Sequence, residues 1–189
     1  MKKSSIAIIF VAVAMLVGIY FVPIWEIVLD APQYPESLMM EIHINGMSGD
    51  LQTINGLNHY IGMKVIEPES ITELKLMPYI LAFLILFGIV TALLKSKKLL
   101  YAWFIILLLT GIAGAVDFYL WEYDYGHNID PNAIIKVPGM NYQPPLIGSK
   151  QLLNFTAQSL PDIGAYLAFA AGALLLFVII RERKSTPKI

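Results

Sequence analysis

The hydrophobic and polar positions fall into long blocks. Residues 4–27 begin SSIAIIFVAVAMLVGIYFVPIW, with no charge before Glu26. Further apolar runs occupy 76–94, 99–120 and 163–181, the third ending in the interfacial-looking Asp117-Phe118-Tyr119-Leu120. About 20 apolar residues cross the hydrocarbon core of a bilayer as a helix, so each block predicts one membrane span. The first run is longer than the ~7–15 residue core of a signal peptide and ends in bulky Phe, Pro, Ile and Trp, which predicts an uncleaved anchor. Lys95-Ser96-Lys97-Lys98 is too short for anything but a tight turn, so spans two and three form an antiparallel helical pair. The fold class predicted is a mainly α membrane protein: four transmembrane helices with a small mixed α/β or irregular cap outside the cytoplasm.

Charge orients these spans. Lys2 and Lys3, then Lys95, Lys97 and Lys98, then Arg181, Arg183, Lys184 and Lys188 all fall on one side of a four-span chain. By the positive-inside rule that side is the cytoplasm. The remaining segments, 28–75 and 121–162 with their flanks, hold every acidic residue except Glu182. The prediction is a bacterial inner-membrane protein with cytoplasmic termini and two large periplasmic loops. Composition agrees: of 189 residues 57% are hydrophobic and 14% charged, against about 25% charged in soluble domains. No basic footprint for nucleic acid is present. No ionisable residue sits at the centre of a span, which argues against a pump or channel.

The outer segments carry what chemistry there is. In MMEIHINGM (39–47) and the residues after it, Asn45-Gly46 predicts a hairpin with strands 39–44 and 47–54. Alternation places Met39, Glu41 and His43 on one face and Met40, Ile42 and Ile44 on the other. Residues 57–63, LNHYIGM, read as a short helix or a third strand; if helical, His59 and Met63 share a face. The segment 121–162 is rich in Tyr, Asn, Pro and Gly without regular period. Its aromatic and aliphatic content is that of an ordered, irregular loop and not of a disordered one.

All three histidines, His43, His59 and His127, fall in these segments, as do Met39, Met40, Met47, Met63 and Met140, with Met77 at the outer end of span two. With no cysteine, a metal outside the membrane would need imidazole, thioether, carboxylate or phenol ligands. Thioether and imidazole suit copper, so His43, His59, Met63, His127 and Met47 form the candidate metal set. The spacing is not that of a tight motif, and methionine also fills irregular cores. Asp117, Glu122, Asp124, His127 and Asp130 form a second polar cluster suited to a harder cation or to proton transfer. Its plainer reading is turn-forming side chains, with Asp130-Pro131 closing one turn. GxSxG, HExxH and P-loop patterns are all missing, so no catalytic residue is assigned, and an enzyme with an outer active site, resting only on the acid–His127 cluster, is the less favoured reading.

The phrases APQYPE (31–36), INGLNHYIGM (54–63), WEYDYGHNIDPNA (121–133) and KVPGMNYQPPLIGSKQLLNF (136–155) resemble a family of small bacterial multi-pass membrane proteins. That family is associated with nitrous oxide reductase gene clusters and copper maturation. The resemblance implies a denitrification accessory role: handling copper, or assisting assembly of an extracytoplasmic copper enzyme. The copper chaperone lipoprotein of that pathway relies on a Cys-containing motif, and this chain has no Cys, so those ligands do not carry over. The alternative from the residues alone is a structural or scaffold subunit of a membrane complex with no metal site. Expected partners are the lipid bilayer and an extracytoplasmic protein or membrane complex.

Overall fold

The computed structural model describes residues 1–135, 137, 139 and 141–184; Met140 and Lys188 lie outside them. Four long helices build the membrane part: α1 (Lys3–Gly18, extended by a 3-10 turn Ile19–Phe21), α3 (Thr72–Leu94), α4 (Lys97–His127) and α5 (Ile163–Lys184). Each is long and apolar enough to cross a bilayer. Between them lie β1 (Trp25–Ala31), β2 (Tyr34–His43), β3 (Gly46–Gly49), the short helix α2 (Leu51–Ile61), β4 (Gly148–Leu152) and β5 (Phe155–Pro161). The molecule is a mainly helical membrane protein with a small β-rich cap.

The bundle core runs the length of the spans. Ile9, Ala12 and Leu16 of α1 meet Leu81 and Leu84 of α3, Leu100 and Trp103 of α4, and Leu175 and Val178 of α5. Trp103 is wholly buried because Gly88 makes room for it: a Cβ on Gly88 would lie 2.4 Å from the indole and 2.7 Å from Val13. At the terminal end, buried Glu182 gathers three segments. Its Oε1 accepts the Lys2 N–H at 3.0 Å and the Ser5 hydroxyl at 2.7 Å, and Oε2 lies 3.5 Å from Lys97 Nζ. The start of α1 and the end of α5 therefore lie on one side of the bundle and the cap on the other. Between α3 and α4, Lys95 takes a left-handed conformation and the Ser96 side chain caps the new helix at the Leu99 N–H. This is the tight turn that the four-residue connection predicts.

The cap is one antiparallel sheet with strand order β3-β2-β1-β5-β4. Its two central strands continue α1 and α5 directly. Trp25 pairs with Pro161, Ile27 with Ser159 and Leu29 with Ala157. At the junction the Pro23 carbonyl accepts the Gly164 N–H at 2.8 Å and the Ile24 carbonyl accepts the Asp162 N–H at 2.9 Å. A Cβ on Gly164 would stand 2.8 Å from that Pro23 oxygen, so glycine is what lets the strand and helix close here. One sheet face buries Ile27, Leu38 and Met40 against Ile54 of α2, Ile66, and the ring ladder Phe118, Trp121 and Tyr125 of α4.

Three expectations change. The first span was placed at 4–27, but the helix gives way after Phe21 and residues 25–27 are already strand. A hairpin is present at the expected place, with strands 34–43 and 46–49, but its two-residue turn is Ile44-Asn45, one residue earlier than expected, and Gly46 already pairs with His43; Gly49, at φ +94°, ends the second strand, and 51–54 belong to α2. The segment 121–162 is more regular than expected. Helix α4 continues seven residues past 120, and β4 and β5 add a hairpin whose two-residue turn puts Leu153 at φ +54°.

Substituting Gly88 with Ile should overpack the Trp103 contact and cost about 1–3 kcal/mol. Thermal unfolding in detergent should show a lower Tm for G88I, while Gly111→Ala, at a site with no heavy atom near its Cβ, should leave Tm nearly unchanged.

Candidate functional site

The 31 residues of α4 measure about 46 Å at 1.5 Å per residue, against about 30 Å of hydrocarbon. Residues 99–120 fill the bilayer, and the last two turns stand above it as a post for the cap. Phe118 meets Trp25 edge-on at 5.3 Å between centroids, stacks on Trp121 at 6.1 Å, and Trp121 in turn lies 4.5 Å from Tyr125. These rings repeat at three- and four-residue intervals, so they form one stripe facing the sheet. Trp25 donates its indole N–H to Ser159 Oγ at 2.8 Å, which fixes the foot of the stripe to β5.

The histidines occupy different levels. His43 ends β2 at the membrane-proximal edge, next to Ile42, the residue paired with Trp25. Its Nε2 lies 2.9 Å from Ser48 Oγ and 3.6 Å from Glu41 Oε2, and the Ser48 hydroxyl donates to Glu41 at 2.8 Å. With that proton committed to Glu41, Nε2 is the donor to Ser48. The acid lies on the same ring nitrogen as the serine, so it does not orient the ring from the far nitrogen as a catalytic triad requires. His127 is nine residues beyond Phe118 on α4, about 13 Å further from the membrane. It stacks on Tyr123 at 3.9 Å, with Nδ1 3.0 Å from the Tyr123 carbonyl. His59 is exposed near the end of α2, its ring edge-on to Tyr60.

Met47 packs into the sheet core, and Met63 follows the helix cap instead of sharing a helical face with His59. Gly62 adopts φ +78° and ends α2, with the Met63 N–H returning to the Asn58 carbonyl at 2.9 Å. That left-handed glycine closure turns the chain away from the helix. Among the described residues no group of three or more His, Asp or Glu side chains is placed to hold a metal ion.

Met63 instead lines an open cleft of about 540 Å³ between the ends of α2 and α4, with Lys64, Val65, Asn128, Ile129 and Asp130. Its polar groups are largely committed to one another. Lys64 Nζ is 2.6 Å from Asp124, and Asn128 also bonds Asp124. The Lys64 hydrogen bond, followed by that from Asn128, holds the Asp124 carboxyl below its usual range. Both partners are half-exposed, so the pair adds little stability. Asp130 accepts the Asn132 N–H and donates its own N–H to the Gly62 carbonyl, as a turn-forming residue does; Asp124 lies in the last turn of α4, and its bonds are to the side chains of Lys64 and Asn128. The Ile135 N–H reaches the Tyr60 carbonyl at 2.9 Å. This tie places the exposed side chains of Tyr60, Ile134 and Ile135 at one end of the cap, with exposed Val65 on the cleft.

Glu122 was read only as one acid of a polar cluster, and its position is different in kind. It is completely buried, and neither carboxylate oxygen has a hydrogen-bond partner among the described residues. Burial pushes its pKa up to about 8. The i, i+4 spacing of Phe118, Glu122 and Gly126 was the available signal that Glu122 faces inward.

The chain matches no family model, and no curated protein is similar to it in sequence. Fold and surface together define its class: a four-span helical membrane protein carrying a five-stranded cap on the side opposite its termini.

Gly62→Val should destabilise the α2–α4 closure by about 1–3 kcal/mol, since it combines a left-handed backbone with contacts of 2.7 Å to Ala133 and 2.9 Å to Ile129. Limited proteolysis should then cut near 129–135 faster than in the parent protein.

Proposed function

We propose that this protein is a structural or scaffold subunit of a membrane complex, its four spans anchoring a cap that docks a partner outside the cytoplasm. The observation that carries this reading is the apolar end of the cap. Tyr60, Val65, Ile134 and Ile135 are each exposed beyond two-fifths of their area, far from the bilayer along α4. Exposed apolar groups gathered in a water-facing region mark a protein-binding surface. The clusters of Lys and Arg beside the terminal ends of the spans support placing the cap in the bacterial periplasm.

Copper handling for an enzyme such as nitrous oxide reductase rests on the resemblance of the loop phrases. Of its five candidate ligands, Met63 and His127 border neighbouring turns at the far end of the cap. His43 and Met47 belong to the base of the sheet and to its core. That separation favours docking over a shared metal centre.

Tyr60→Asp combined with Ile134→Asp should abolish cross-linking to a stoichiometric partner in native membranes while leaving Tm unchanged. Titration with Cu(I) against a competing chelator should show no binding tighter than about micromolar, a Kd corresponding to roughly −8 kcal/mol. Tighter binding that disappears on replacing His43, His59 and His127 by Ala would reverse the assignment in favour of copper.

A further inference from the structure

Helix α4 and the start of β4 are connected by a segment that includes a strap, residues 141–147, laid against the helix. Four bonds hold it. The Tyr142 N–H donates to the Gly126 carbonyl at 3.0 Å. Lys150 Nζ reaches the Gln143 carbonyl at 3.0 Å and Asn141 Oδ1 at 3.2 Å, and Ser159 Oγ donates to the Leu146 carbonyl at 3.2 Å. The approach is close because Gly126 has no side chain: a Cβ there would lie 2.4 Å from the Gln143 backbone. One turn below Gly126, on the same face of α4, is Glu122. It is 0% exposed, with both oxygens lacking a partner among the described residues. The Tyr142 ring is also buried, with its hydroxyl likewise lacking one.

A carboxyl in such a place is tolerable when neutral and costly when charged. The titratable groups on the segments that meet here are Tyr142 on the strap, Lys150 on β4, Asp162 at the foot of β5, and Asp124 and Tyr125 on α4 itself. None of them acts on Glu122; burial is the sole cause of its shift. Among the described residues no cation is paired with the carboxylate, so ionisation there calls for water. Among the described residues the strap is held by the separate bonds named above, whereas β1, β5 and β4 are tied by continuous ladders.

We propose that Glu122 is a proton-operated latch: while the carboxyl is protonated the strap lies closed over it, and its ionisation opens the strap and hydrates the face of α4 beneath. The ligand sensed is the proton, and the moving part is the strap, residues 141–147. Opening releases one proton, so the sign is fixed. A buried acid whose pKa is raised binds its proton in the closed form at pH values where the open form has already lost it. The closed form is therefore favoured at acid pH and loses ground as pH rises from the ordinary carboxyl range to about 8, where the effect levels off.

Amide hydrogen exchange of the full-length protein in lipid nanodiscs, corrected for intrinsic exchange rates, tests this. Protection of the strap amides, Tyr142 above all, should fall about tenfold per pH unit between about pH 5 and 8 and then flatten. Amides of β1 should show no such dependence. Glu122→Gln, which keeps the shape without the charge, should leave strap protection high and independent of pH. Gly126→Ala, which displaces the strap by contact, should give low protection at every pH. Parent protein with pH-independent strap protection, or a pH dependence that survives in E122Q, would overturn the latch. If E122Q does not fold, infrared spectra of ¹³C-Glu-labelled parent protein and G126A decide. A protonated carboxyl signal persisting to about pH 7 in the parent and lost in G126A supports the latch, and its absence from the parent refutes it.

Discussion

Everything above the membrane depends on one constraint, that backbone leaving a bilayer must satisfy its own hydrogen bonds as it goes. Here α1 and α5, packed together in the bundle, hand over to β1 and β5, which pair with each other at once. The Pro23 and Ile24 carbonyls accept from Gly164 and Asp162, and the ladder begins at Trp25 and Pro161. Helix packing thus becomes strand pairing without a linker. The sheet does not sit on the membrane as a separate domain; its central strands extend the spans.

The second support is α4, whose extra turns carry Phe118, Trp121 and Tyr125 up the covered face of the sheet. Aromatic residues at this height serve both the interface and the core, because their rings are apolar and their N–H or O–H groups find partners. Trp25 shows the combination, packed on Phe118 and bonded to Ser159. A cap held at three points, on α1, α4 and α5, presents its far end in a fixed position, as a docking surface requires. The strap is the exception, held against Gly126 by separate bonds one turn above the buried Glu122.

Much of this is legible in the residues. The four spans stand out because hydrocarbon demands long uninterrupted apolar runs; Asn45-Gly46 marks where the chain reverses, although the turn itself is Ile44-Asn45 and neither Asn45 nor Gly46 takes the left-handed conformation that the pair is favoured for. The extension of α4 is harder to read, since Trp121-Glu122-Tyr123-Asp124-Tyr125 has the composition of a loop; its helical signal lies only in the spacing of the rings. The β4–β5 hairpin hides behind Gly-Ser-Lys-Gln-Leu, an edge strand with little alternation, and behind a Leu153-Asn154 turn that lacks the usual glycine. The levels of the histidines are not legible for a simpler reason: nearness in sequence to methionine says nothing about level in the cap. His43 and His127 are separated by the height of α4 above the bilayer. Glu122 looks like any other acid in the sequence; only the fold shows it fully buried, one turn below the Gly126 against which the strap lies.

The central claim is that cap and bundle form one mechanically continuous unit. Native-state hydrogen exchange of the protein in a lipid bilayer, read at Val28 and Leu29 of β1 and Ala157 and Ser159 of β5 under increasing denaturant, tests it most directly. If the account is right, these amides exchange only through the same global opening that exposes the cap-proximal turns of α1 and α5. Exchange of the central strands by a separate, lower-energy opening while the helices stay protected would contradict it.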